Sequence, residues 1–307
     1  MTSTELVDPM ASARAYLEAE KSSNTRRAYA SDWADFSAWC GRVSEDPLPA
    51  LPATVARYLA HLADVGLKSS TVERRKSAIA AAHKTAGFEP PTNFEGFKAV
   101  MRGIRRRLGK RKRKAALATA ELLEQAIERI PATLHGLRDR ALVLIGFAGA
   151  FRRSELVVIT VDDVKRLPRG ILIHVGRSKT DQEGAGATLP IPNGKPKAVQ
   201  ALYTWLLAAG ITDGPLFRNV DRHGCVGQAL TDRSVARIVK SVFAPLGVRV
   251  EDFSGHSLRA GFVTSALQAK VDPLKIMKQT RHVKVDTLKE YDRRENDFDD
   301  HAGGGFL

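Results

Sequence analysis

Between Lys98 and Lys114 the chain carries ten basic residues and not one acid, and that density of like charge has no place in a folded core. Whatever the chain folds into therefore has a seam here. Apolar residues thin out past Leu108, so the block Arg111–Lys114 reads as an extended linker rather than a packed helix. A chain of 307 residues, at about 100–200 residues per domain, then divides into two domains. The expected boundaries are residues 1–108, a basic linker over 109–118, and residues 119–307. The run accounts for ten of the net +14, leaving +4 elsewhere. A local surplus of that size favours a polyanion as partner, nucleic acid or an acidic membrane face; a solubilising charged segment is the plainer use.

Ahead of the seam, Tyr29, Trp33, Phe36 and Trp39/Cys40 recur at steps of four, three and three, the period of one helical face over 22–40. Asn24-Thr25 stands where an N-cap belongs. Past the Leu51-Pro52 break, Val55, Tyr58, Leu59 and Leu62 form a second stripe that ends near Gly66. A third helix from Ser70 turns Val72, Ile79 and His83 inward and Arg74, Arg75 and Lys76 outward. Those three cations read equally as DNA contacts or as an ordinary solvated face. A fourth helix over 94–108 repeats the pattern with Phe97, Met101, Ile104 and Leu108. The first domain is expected to be a small helical bundle.

Behind the seam the pattern predicts a helix over 119–130, an apolar helix through 142–151, and strands at 170–175 and 187–191 around a polar, Gly-rich turn. The fold class is thus mainly α with a small antiparallel β-sheet. Cys40 and Cys225 lie far apart without zinc or disulfide spacing, which fits a reducing cytoplasm. The longest apolar stretch, Ala141–Phe151, is about half of the roughly 20 residues a bilayer requires, so no membrane span is expected. Adjacent acids Asp162-Asp163, read as opposite faces of a strand, have no third carboxylate to make a metal site. The "GRSKT" at 176–180 lacks the first glycine of a P-loop.

Three clusters carry chemistry. Arg152 and Arg153 are expected at the end of the apolar helix, with Glu155 on the face of Arg152; alone, this reads as a structural ion pair. His256 and Arg259 stand side by side at a helix N-terminus, where an anion is favoured, although a surface pair is the commoner meaning. His282 precedes Tyr291 by nine residues; a lone tyrosine is most often packing.

In this order, "FRRSEL" at 151–156, the turn lysine in "GRSKTD" at 176–181, "HSLR" at 256–259 and "RHVKVDTLKEY" at 281–291 resemble the tyrosine recombinase (phage integrase) family. The resemblance spans both domains and is tightest from Phe147 to Tyr291. It implies Arg152 as first catalytic arginine with Glu155 as its supporting acid, and Lys179 as the hairpin lysine. It further implies His256 with Arg259 as the His-x-x-Arg pair, His282 as second histidine and Tyr291 as nucleophile. Ala150 stands where relatives often have glycine, a substitution read here as helical and harmless.

Those residue types suit transfer of a DNA phosphodiester to tyrosine. A phenol of pKa about 10 needs a base, for which His256 is the choice. Arginine forks at Arg152 and Arg259 hold the phosphate oxygens, His282 adds a hydrogen bond, and Lys179 protonates the 5′ oxygen that leaves. The guanidiniums supply the charge a metal supplies elsewhere, so no metal, ATP or other cofactor is expected.

The resemblance implies a helical core-binding domain and a catalytic domain closing on duplex DNA as a C-shaped clamp. Arg105, Arg106, Arg107, Lys110, Arg111, Lys112, Arg113 and Lys114 are the expected phosphate contacts. It also implies a specific recombination site as partner, a dimer on one site and a tetramer in the synapse, with strands exchanged through a 3′-phosphotyrosyl intermediate and a Holliday junction. Phe306-Leu307 either docks on a neighbouring protomer or frays. A type IB topoisomerase-like relaxase and a non-cleaving DNA-binding regulator are the alternatives.

Overall fold

A computed structural model describes residues 22–109, 116–176, 186–282 and 285–289. The chain forms two compact units, within residues 1–112 and 113–307.

The first unit is a helical bundle of α1 (Ser23–Arg42), α2 (Pro52–Asp64), α3 (Ser69–Thr85) and α4 (Glu95–Leu108). The stripes expected from the sequence form its core. Phe36 and Trp39 pack around Tyr58 in tilted contacts at 5.0 and 5.4 Å between ring centroids, with Val55, Leu59, Val72, Ile79, Phe97 and Met101 filling the rest. Helix α1 is capped by Ser22, whose Oγ accepts from the Thr25 N–H at 3.3 Å. Asn24 and Thr25, expected as the cap, already lie in the first turn. The fully buried His83 donates from Nδ1 to the Ile79 carbonyl at 2.8 Å and accepts the Ala50 N–H on Nε2 at 2.9 Å, which satisfies both ring nitrogens.

The cations of α3 are engaged within the bundle. Arg75, its side chain only 17% exposed, pairs with Asp35 and donates to the Tyr58 hydroxyl at 2.5 Å, so it belongs to an interhelical network and not to a solvated face. Tyr58 is desolvated there and bonded to Asp35, and its pKa is pushed above the ordinary phenol range. Arg74 pairs with Asp32 at 3.0 Å and Lys76 with Glu73 at 2.8 Å. On α4, Arg105 reaches Glu73 at 2.6 Å and Arg107 reaches Asp64 at 3.0 Å, exposed pairs of small energetic weight.

The second unit contains α5 (Ala120–Glu128), α6 (Leu134–Ala148), α7 (Arg153–Leu156), β1 (Val164–Leu167), β2 (Gly170–Val175) and β3 (Ala187–Pro192). It continues with α8 (Ala198–Ala208), β4 (Arg218–Val220), β5 (Val226–Ala229), α9 (Asp232–Phe243), α10 (Ser257–Gln268), α11 (Pro273–Thr280) and α12 (Asp286–Lys289). Helix α6 is buried from Ala141 to Phe147 and packs against α8 and α10. The expected strand pair is antiparallel, with Ile171 opposite Ile191 and Ile173 opposite Leu189. Strands β1, β4 and β5 are additions; β1 and β5 are mostly exposed and lack the alternation that reveals a strand. Asp162 and Asp163 lie in the turn before β1, not on a strand. Asp163 accepts the Thr160 N–H and hydroxyl, both at 2.8 Å, which makes it a turn-forming residue.

Just past the basic run, residues 116–120 lie along α10. The Ala116 N–H donates to the Asp252 carbonyl at 2.8 Å, Ala118 N–H to the Ser257 carbonyl at 3.2 Å, and Ala120 N–H to the Ser265 hydroxyl at 2.9 Å. Gly261 makes this approach possible, since a Cβ there would sit 1.8 Å from the Ala118 carbonyl oxygen.

Candidate active site

The sequence expectation of one apolar helix running through Phe151 is corrected by a tight turn. Helix α6 ends at Ala148, and the Phe151 and Ala150 N–H groups fold back to the Gly146 and Phe147 carbonyls at 3.0 and 2.9 Å. That pattern demands a left-handed residue, usually glycine, just past the helix. Ala150 takes that conformation, with φ 47°, at a cost of about 1–2 kcal/mol for an L-residue. Its tolerance therefore does not rest on helix propensity, as the sequence reading held.

Arg152 then caps α7 instead of ending α6. Glu155 accepts the Arg152 backbone N–H on Oε2 at 2.8 Å and its Nη1 on Oε1 at 2.7 Å. The expected pairing of these two residues occurs, through cap geometry rather than a shared helical face. The arginine tandem divides: Arg153 is half exposed and pairs with Asp232 at 3.4 Å, while Glu155 is buried with Arg152.

A second approach comes from the turn before α10. Ser254 Oγ accepts the His256 N–H at 3.2 Å, and Ser257 Oγ accepts the Ser254 N–H at 3.0 Å, which sets His256 at the helix start and Arg259 one turn on. Arg259 is 1% exposed. It donates from Nη1 to the Ala150 carbonyl at 2.8 Å and from Nη2 to the Thr280 carbonyl. One guanidinium thus joins the turn after α6 to the end of α11, at carbonyls two residues ahead of Arg152 and of His282.

Helix α11 ends as α6 does. Arg281 is left-handed at φ 57°, and the His282 N–H folds back to the Met277 carbonyl at 3.2 Å. The Thr280 hydroxyl donates its only hydrogen to the Ile276 carbonyl at 2.7 Å. Its 3.0 Å contact with His282 Nδ1 therefore needs the imidazole to donate, leaving Nε2 as the unprotonated nitrogen.

Partial burial, then the charges of Arg259 and Arg152, hold the His256 pKa below the usual histidine range, although the residue keeps exposed surface. Burial and the surrounding Arg259, Arg152, His256 and Arg281 lower His282 to about 4. Both rings are neutral at pH 7. A neutral His282 protonated on Nδ1 accepts at Nε2, so donating to a phosphate, the role its resemblance implies, requires a second proton.

Arg281 is a site residue that the sequence reading passed over. Its Nη2 donates to Glu155 Oε2 at 2.5 Å, its side chain is 12% exposed, and its guanidinium carbon lies 5.8 Å from the centre of the Phe151 ring. Nothing in its spacing marked it; only its place beside His282 offered a signal. Among the described residues the site therefore brings together three guanidiniums, one carboxylate and two neutral imidazoles. A positive surplus so little exposed to water is matched to an anion with several oxygens.

Lys179, Tyr291, Lys110, Arg111, Lys112, Arg113 and Lys114 lie outside the described residues, as do Phe306 and Leu307. Among the described residues no group of three or more His, Cys, Asp or Glu side chains suits a metal ion, and no helix is long and apolar enough to cross a membrane.

A model of the phage integrase family matches residues 118–297, and a model of the phage integrase N-terminal SAM-like domain matches residues 14–87. The chain is 42% identical over 300 residues to the integrase/recombinase xerD homolog of Selenomonas ruminantium, covering 94% of this chain and 87% of that one. It is 31% identical over 301 residues to a tyrosine recombinase of Synechococcus elongatus, covering 92% and 88%. It is 26% identical over 278 residues to the recombinase cre of Escherichia phage P1, covering 84% and 80%. Among solved structures, the Tn1549 transposon integrase in complex with transposon right end DNA matches with a TM-score of 0.62 at 17% identity, over 88% of this chain and 89% of that chain. The XerH site-specific recombinase bound to palindromic difH substrate matches with a TM-score of 0.60 at 17% identity, over 78% and 68%; at such identities the likeness is one of fold.

Proposed function

The chain belongs to the phage integrase family, and we propose that it is a site-specific tyrosine recombinase that cleaves and rejoins duplex DNA through a 3′-phosphotyrosyl intermediate. Two sites exchange strands through a Holliday junction, with a dimer on each site and four protomers in the synapse. The observation that carries this reading is the convergence of Arg152, Arg259, His256 and His282 from three separate stretches of chain, tied together by the bonds of Arg259 to the Ala150 and Thr280 carbonyls.

In this reading Arg152 and Arg259 bind the non-bridging oxygens of the scissile phosphate and stabilise the charge that grows in the transition state. His256, neutral at pH 7, accepts the proton of the attacking Tyr291 phenol. Lys179 protonates the 5′ oxygen as it leaves. Glu155 holds Arg152 from both ends, backbone and side chain, so the fork is oriented before DNA arrives. The phosphotyrosyl bond conserves the energy of the broken one, and rejoining needs no ATP. Basic residues 105–107 and 110–114 contact the phosphate backbone, and the protein works on cytoplasmic DNA.

The test is to incubate the protein with two differently labelled duplexes that carry its site. Four-way junctions and exchanged products on a native gel are expected. Relaxation of a supercoiled plasmid that carries the site, with no junctions from the duplexes, would assign the chain to the topoisomerase class. Retarded duplex without any covalent adduct would make it a binding protein.

A further inference from the structure

We propose that Arg281 is a positioning residue for strand cleavage: through Glu155 it fixes the guanidinium of Arg152, and it fastens the end of α11, which carries His282, onto the same carboxylate. The proposal rests on the reading of Arg152 as a phosphate-binding arginine.

The backbone gives the first reason. Arg281 occupies the left-handed position that closes α11, at φ 57°, where glycine is the ordinary residue and an L-side chain costs energy. Such strain persists where the surroundings impose it, and often at functional sites.

The side chain gives the second. Its Nε and Nη1 are buried and have no hydrogen-bond partner among the described residues, and an unsatisfied buried donor is costly. Burial, together with the charge of Arg152, disfavours the Arg281 cation, while Glu155 favours it. A residue that combines a strained backbone with two unmet donors contributes little net stability, so stability does not account for its presence.

The bonds it does make supply the account. Glu155 Oε1 accepts Arg152 Nη1, and Oε2 accepts both the Arg152 backbone N–H and Arg281 Nη2. Apart from Arg281, the polar partners of that carboxylate among the described residues both belong to Arg152, its backbone N–H and its Nη1. With Arg281 the carboxylate is anchored to α11, and the Phe151 ring under the guanidinium limits its motion from below. Two segments that must act on one phosphate are thereby held to one point.

The test is single-turnover formation of SDS-stable adduct on saturating DNA, with the full chain and its variants. Arg281→Gly removes the guanidinium and suits the left-handed backbone. It is expected to melt no lower than wild type, to bind DNA within about threefold, and to cleave at least tenfold more slowly. In a Glu155→Gln background the same substitution is expected to cost less than threefold more, because its route of action is already gone. Arg281→Lys and Arg281→Met, which share a Cβ and similar length, control for folding; the lysine variant is expected to cleave at least fivefold faster than the methionine variant. Wild-type cleavage by Arg281→Gly, a full additional loss in the Glu155→Gln background, or equal rates for lysine and methionine would each overturn the proposal. Arg152→Ala is run alongside: if it cleaves like wild type, the reading of Arg152 fails, whatever Arg281 does.

Discussion

Gly261→Ala places a methyl group where the chain has already put a carbonyl. The added Cβ would stand 1.8 Å from the Ala118 oxygen, 2.3 Å from its carbonyl carbon and 3.0 Å from its Cα, all backbone atoms that no rotamer change removes. To restore even a 3.0 Å contact, residues 116–119 must retreat from α10 by more than 1 Å. That movement weakens the Ala116–Asp252 and Ala118–Ser257 hydrogen bonds, each worth about 1 kcal/mol, and adds overpacking strain of about 1–3 kcal/mol. Against this stands the helix preference of alanine over glycine, about 1 kcal/mol. The net is a destabilisation of about 2–4 kcal/mol, or roughly 4–16 °C in Tm for a unit of this size. Differential scanning calorimetry of wild type and variant reads it directly. The same helix carries Arg259 two residues upstream, so covalent cleavage is expected to fall with stability. An unchanged or higher Tm would mean that helix propensity wins, and would refute the packing of residues 116–119 on α10.

Three further outcomes follow from the site. Ala150→Gly exchanges a buried methyl, about 0.8 kcal/mol, for relief of left-handed strain, and is expected to melt within about 1 kcal/mol of wild type; Ala150→Val, β-branched at positive φ, is expected to lose about 2 kcal/mol or more. Folding stability is expected to decline as pH falls from about 6.5 toward 4. His282 titrates at about 4 when folded against a reference of 6.5, so across that window the unfolded chain takes up the proton first; urea titrations should show the slope, and His282→Gln should flatten it. Thr280→Val removes the acceptor of the His282 Nδ1 proton, at about 1 kcal/mol, and nitrogen NMR of the imidazole should show the tautomer change; an unaltered spectrum would contradict the assignment.

What was legible in the sequence was what repeats. The stripes around Phe36, Tyr58, Ile79 and Met101 recur at helical spacing and became the first unit's core, and the alternation at Ile171 and Ile173 marked β2. Helix ends without glycine were not legible. Ala150 and Arg281 both close helices in the left-handed region, yet neither residue type signals a stop, so the apolar pattern alone carries α6 three residues too far. Arg75 and Arg281 were opaque for a related reason. A cation's sequence neighbours say little about whether a distant carboxylate, Asp35 or Glu155, will take it out of solvent. The grouping of Arg152, His256, Arg259 and His282 was reached by resemblance; no spacing within one helix links residues so far apart in the chain.

The central claim is metal-free nucleophilic attack on DNA by Tyr291, and covalent trapping tests it most directly. Wild type and Tyr291→Phe are incubated with DNA that contains the site, in EDTA and without ATP, then quenched with SDS. Wild type is expected to carry DNA through a tyrosine to a 3′ phosphate, and Tyr291→Phe is expected to bind the same DNA without an adduct. An adduct that persists in Tyr291→Phe, or none from wild type on a nicked copy of the site that it demonstrably binds, would contradict the account.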